Sequence, residues 1–136
     1  MNIELTNKEF RRLLDMVYIG NWVLNSTRAE TDRFRDYDDL QEKLFALCSK
    51  LGWKELYSTW YGHTFPSREF EEGGIHEAIA DYEDAVFYDI LAEELARRDM
   101  SLEHTDPDDM NELNTRMDEY FTEFEANGID NLTIEK

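Results

Sequence analysis

The stretch whose reading decides the fold is residues 75–99, IHEAIADYEDAVFYDILAEELARRD. Ile75, Ala78, Ile79, Tyr82, Val86 and Ile90 recur at the helical period and form one apolar stripe. Phe87, Leu91 and Leu95, each four residues apart, form a second stripe turned about a third of a circle from the first. A surface helix needs one stripe, so two predict a long helix packed on two sides. The rest of the chain is arranged around it.

Upstream, Thr6 with Glu9 three residues later is a capping box and opens a first helix. Its main stripe is Phe10, Leu13, Leu14, Val17 and Leu24, and Met16, Ile19 and Val23 make another. With two apolar faces and Gly20 between them, this helix suits either the core or a homodimer interface. Residues 25–36 are polar and mixed in charge, as a connection is. Asp36 is the expected cap of a second helix reaching about Leu51, with Tyr37, Leu40, Leu44, Leu47 and Leu51 inward and Gly52 at its C-terminal end. Cys48 beside that stripe reads as a packing residue.

From Trp53 to Phe70 the helical period fails, and Trp53, Tyr57, Trp60, Tyr61, Phe65 and Phe70 crowd together. Such a segment either folds back to seal one end of a helical core or presents a recognition surface, since Trp and Tyr dominate interface energetics. Its polar handles are His63 and Arg68. Gly73-Gly74 interrupts the chain before the long helix. Near the end, Asp106 as cap and Pro107 in the first turn predict a last helix, with Met110, Leu113, Met117, Tyr120, Phe121 and Phe124 buried. Asn127-Gly128 ends it. Asp108, Glu112, Glu119 and Glu123 form an acidic row on its other side. Ile3 and Leu5 alternate with polar residues, as do Leu132 and Ile134, so the two termini are expected to pair as a short two-stranded ribbon.

The charge is unevenly placed. Residues 1–68 hold ten Lys/Arg and ten Asp/Glu, whereas residues 69–136 hold four and twenty-two, so the whole net charge of −18 lies in the second half. That excess opposes direct binding to nucleic acid or to an anionic membrane and favours a basic protein partner. The longest mostly apolar run, Met16–Leu24, is too short to span a bilayer. No basic run followed by an apolar block stands near Met1, and the single cysteine forms no internal disulfide, so the expected location is cytoplasmic.

Catalytic signatures are absent: no Gly-rich phosphate loop, no G-x-S-x-G and no C-x-x-C. The Glu-x-x-His motif of di-iron bundles fails at each of His63, His76 and His104, where the residue three positions earlier is Trp60, Gly73 or Ser101. His76 beside Glu71, Glu72 and Glu77 is the one place where a divalent ion is conceivable, and it is the basis of a metal-dependent-enzyme reading. No cofactor or metal site is assigned.

These observations predict a single all-α domain over residues 1–136, a compact bundle of four main helices with a short β-ribbon. The leading function is a non-enzymatic interaction or regulatory module. Its expected contact residues are Tyr57, Trp60, Tyr61, His63 and Arg68 on the aromatic segment, and Asp108, Glu112, Glu119 and Glu123 on the acidic face. The alternative is a nucleic-acid mimic that occupies a basic DNA- or RNA-binding protein.

Overall fold

The computed structural model describes residues 1–135. It is all-α in class: four main helices and one small two-stranded antiparallel ribbon, as expected. In order they are α1 (Asn7–Asn25), α2 (Arg35–Ala46), β1 (Tyr57–Trp60), β2 (His63–Pro66), a single turn α3 (Arg68–Phe70), α4 (His76–Leu102) and α5 (Met110–Asn127). Among the described residues, no helix is long and apolar enough to cross a membrane. The chain divides into two compact units, Met1–Ile79 and Ala80–Lys136.

In the first unit, the Thr6–Glu9 capping box forms as predicted and starts α1. The core gathers Phe10, Leu14 and Tyr18 from α1, Phe45 from α2, Cys48 from the 3-10 turn that follows it, and Phe70, Ile75 and Ile79. Burial pushes the Cys48 thiol pKa up, as befits a packing residue. Phe45 stands edge-on to Phe70 at 5.0 Å, and Phe70 meets the Tyr18 ring at 5.3 Å.

The inward face of α2 is not the predicted one. Of the expected stripe only Leu44 packs against the core; Tyr37, Leu40, Leu47 and Leu51 are exposed, while Asp38, Gln41, Phe45 and Cys48 point inward or toward the cleft described below. Helix α2 also starts at Arg35, before Asp36, and gives way to a 3-10 turn at Leu47, so Gly52 (φ +72°) serves the following turn.

The ribbon is not made by the termini. Residues 1–6 and 132–135 carry no strand, and Ile3 and Ile134 are exposed. The pairing is local instead: Tyr57 opposes Pro66, and Trp60 opposes His63. Tyr61 and Gly62, both at positive φ (48° and 77°), make the two-residue turn between them. Closing so short a loop costs far less entropy than joining two chain ends.

In the second unit, Ala96 and Met100 of α4 pack with Leu113 of α5, and Tyr88 meets Phe124 at 5.3 Å. Helix α4 is therefore not buried along two stripes. Ile79 in its first turn, with Ile75 just before the helix, belongs to the first core, and small residues Ala92 and Ala96 are buried in the second unit. Tyr82, Phe87 and Ile90 between them are exposed. Helix α5 begins at Met110, four residues beyond the predicted cap: Asp106 accepts from the Asp108 N–H but closes only a turn, in which the Asp109 N–H bonds the Asp106 carbonyl at 3.1 Å. Asp109 does the capping and accepts from the Glu112 N–H.

Candidate functional site

The inner face of α1 changes character along its length. Phe10, Leu14 and Tyr18 are apolar or aromatic, but the next buried positions are Asn21 and Asn25. Helix α2 does the same in reverse, with Asp38 and Gln41 before Phe45. The α1–α2 seam is thus dry at one end and hydrogen-bonded at the other. Asn21 donates to Asp38 at 3.0 Å and to Gln41 at 3.3 Å, and Arg33 grips Asp38 with two bonds of 2.8 and 2.7 Å. That guanidinium, with Asn21, holds the Asp38 carboxyl below its usual range.

A cleft of about 530 Å³ opens at this polar end. Its lining includes Tyr18, Trp22, Arg33, Gln41, Glu42 and Phe65, the last from β2. Glu42 ties the ribbon to α2: it accepts from the Thr64 N–H at 3.0 Å and faces His63 Nδ1 at 3.1 Å. The backbone bond from Thr64 is the main reason its carboxyl pKa is lowered. On the other side, the Tyr18 hydroxyl lies 2.7 Å from His76 Nε2, and the Trp22 ring meets His76 edge-on at 4.8 Å. His76 is engaged by aromatic neighbours. Among the described residues, no three His, Cys, Asp or Glu side chains are grouped to hold a metal ion.

Comparison with known protein families, with curated proteins and with solved structures finds no match to this chain. The site is therefore read from its own chemistry.

The predicted contact residues fall in both units. Tyr57 is half-buried against the first core, so the aromatic segment does seal the helices at its base, together with Trp53 and Phe70. Its tip does the opposite. Trp60 and Tyr61 are 67% and 86% exposed, and their rings meet edge-to-face at 4.8 Å. His63 stays exposed while bonded to Glu42, and Arg68 is paired with Glu72 at 2.7 Å. In the second unit, Asp108 precedes α5 and falls out of the helical row. Glu112 is paired with Arg116, and Glu123 accepts from Asn127 and Asn131. Glu119 is exposed. The sequence reading missed Asn21, Asn25, Asp38 and Gln41. The available signal was two asparagines four residues apart continuing the line of Phe10, Leu14 and Tyr18.

Tyr18 supplies a pH prediction. Burial, and then the nearby Glu71 carboxylate, push its pKa up to about 12. A folded value above the unfolded one means that the stabilisation is complete below about pH 10 and is lost as pH rises toward 12. Tyr18→Phe is expected to be less stable than the parent at neutral pH and to lose that deficit in alkali. Urea midpoints of both proteins across the alkaline range measure it. A deficit that does not change with pH would contradict the assignment.

Proposed function

We propose that this chain is a non-enzymatic, cytoplasmic protein-interaction module that engages a protein partner through the tip of the β1–β2 ribbon. The observation that carries this reading is Tyr61. A bulky residue in the left-handed region costs on the order of 1 kcal/mol, and the first place in such a turn suits Asn, Asp or Gly far better. Here it is held by a tyrosine with its ring in solvent beside an exposed tryptophan. Strain kept at an exposed aromatic pair points to a use for the ring. The cleft lined by Thr64, Phe65 and Pro66 of β2 gives room for a partner side chain farther down the same ribbon.

Tyr61→Asn separates use from structure. The variant is expected to be as stable as the parent, or more stable by on the order of 1 kcal/mol. It is also expected to lose the partner. A photo-crosslinking residue placed at Tyr61, in cells that make the protein, should yield a discrete adduct not formed from exposed Asp39. The same pattern from both positions, or a Tyr61→Asn variant that loses stability, would remove the reading.

A second reading is occupation of a basic nucleic-acid-binding protein by the acidic half. It is supported by the ion pairs of the second unit, where Arg97, Arg98 and Arg116 are each bonded to carboxylates and leave Asp81, Glu83, Asp84, Asp89 and Glu94 uncompensated among the described residues. Such binding weakens steeply with added salt. Salt-insensitive binding excludes it.

A further inference from the structure

Helix α4 presents a face that its own unit does not use. Counting 100° per residue, Phe87 and Ile90 lie roughly 160° and 140° round the helix from the buried Ala92 and Ala96. They are 49% and 59% exposed, and Val86 beside them is half-buried. Glu83 precedes Phe87 by four residues, and Glu94 follows Ile90 by four, so Glu83, Phe87, Ile90 and Glu94 form one line at i, i+4, i+7 and i+11. The line is about 16 Å long, apolar in the middle and acidic at both ends. Between Ala80 and Ala96 there are six Asp/Glu and no Lys or Arg. Only Glu93 of those six is ion-paired among the described residues.

That pattern selects its occupant. A second copy docked by the same face would set two acidic faces against each other, and an anionic membrane surface would be repelled. A phosphate mimic gains nothing from apolar side chains in the middle of its acidic track. An apolar stripe with carboxylates at both ends matches a helix with an apolar face bounded by cations. We infer that the Glu83–Phe87–Ile90–Glu94 face of α4 is a docking site for a basic amphipathic helix of a partner protein. The apolar face of that helix covers Phe87 and Ile90, and its Lys or Arg side chains pair with Glu83 and Glu94. This surface is separate from the ribbon tip and goes beyond it: it names the chemistry of a partner segment.

The test uses a synthetic peptide of about 14 Leu and Lys residues with leucines at the helical period, and a control of the same composition without that period. Backbone amide shifts of the full chain are followed by NMR during titration. The periodic peptide should move residues 82–95 and bind about tenfold or more tighter than the control. Phe87→Ala with Ile90→Ala keeps good helix formers and should remove that advantage. Glu83→Gln with Glu94→Gln should weaken binding at low salt and leave little effect at high salt. Equal affinity for the two peptides, shifts spread over other acidic segments, or a Phe87/Ile90 double variant that binds like the parent would each overturn the inference. Trp60→Ala with Tyr61→Asn should bind the periodic peptide normally, so failure at the ribbon tip and failure at α4 are read separately.

Discussion

Phe45→Ala is expected to lower the stability of the first unit by about 3–5 kcal/mol, the range for emptying a fully buried phenylalanine site. Phe45 has 0% exposure and is the only fully buried large apolar residue that α2 contributes. Its ring also stands edge-on to Phe70, which in turn meets Tyr18, so its loss leaves the aromatic chain without one end. Against a typical total of about 5–15 kcal/mol, such a loss unseats α2 from α1. All three tryptophans, Trp22, Trp53 and Trp60, lie in the first unit, so the midpoint of urea unfolding followed by tryptophan fluorescence reports on this core. The comparison is Leu40→Ala on the opposite face. Leu40 is 50% exposed, and its loss should cost within about 0.5 kcal/mol. If Leu40 proved the costlier of the two, the inward face of α2 would be the leucine face, and the packing described above would be wrong.

That contrast also marks what the sequence could and could not disclose. Helices announce themselves by period and caps, and the Thr6–Glu9 box, the Gly73-Gly74 break and the Asn127-Gly128 stop were all legible. The direction in which α2 faces was not. Its inner line begins with Asp38 and Gln41, so a count of apolar residues favours the outer leucines. Only the partner groups on α1 make that polar half worth burying, and a partner 17 or 20 residues away leaves no trace in local periodicity. The ribbon was misplaced for a related reason. Alternation at the termini resembles strand, whereas Tyr61-Gly62 lacks the Asn or Asp that usually announces such a turn. The aromatic tip was singled out from composition alone, but whether its rings were covered depended on a turn geometry that composition does not encode.

Asn25→Ala should be the second most damaging substitution, costing about 2–4 kcal/mol although it removes no apolar surface. Asn25 is 1% exposed at the last position of α1 and clamps the incoming chain at both polar groups of one residue. Its amide donates to the Phe34 carbonyl at 3.1 Å, and its carbonyl accepts from the Phe34 N–H at 2.8 Å. It also donates to Asn21 at 2.6 Å. Alanine leaves the Phe34 N–H and the Asn21 side-chain oxygen without these partners, while the Phe34 carbonyl keeps the Tyr37 N–H at 3.3 Å, and each group left unsatisfied costs about 1–3 kcal/mol. The clamp sets the register of the whole connection, in which Arg28 lies 3.9 Å over the Phe34 ring and Arg33 reaches Asp38. Its loss should therefore be felt at the cleft. Hydrogen exchange at the Phe34 amide should accelerate, and the Asp38 carboxyl should move up toward its ordinary range as the Arg33 bonds loosen. Asn25→Asp tests the donor half by itself. The acceptor for the Phe34 N–H survives, but the new carboxylate faces the Phe34 carbonyl and the Asn21 oxygen, which disfavours its charge. Its folded pKa is then raised, so this variant should be closer to the parent in stability near pH 4 than near pH 8. A cost below about 0.5 kcal/mol for Asn25→Ala, with an unchanged Phe34 amide, would mean that water replaces the side chain and that the connection is held by its other bonds.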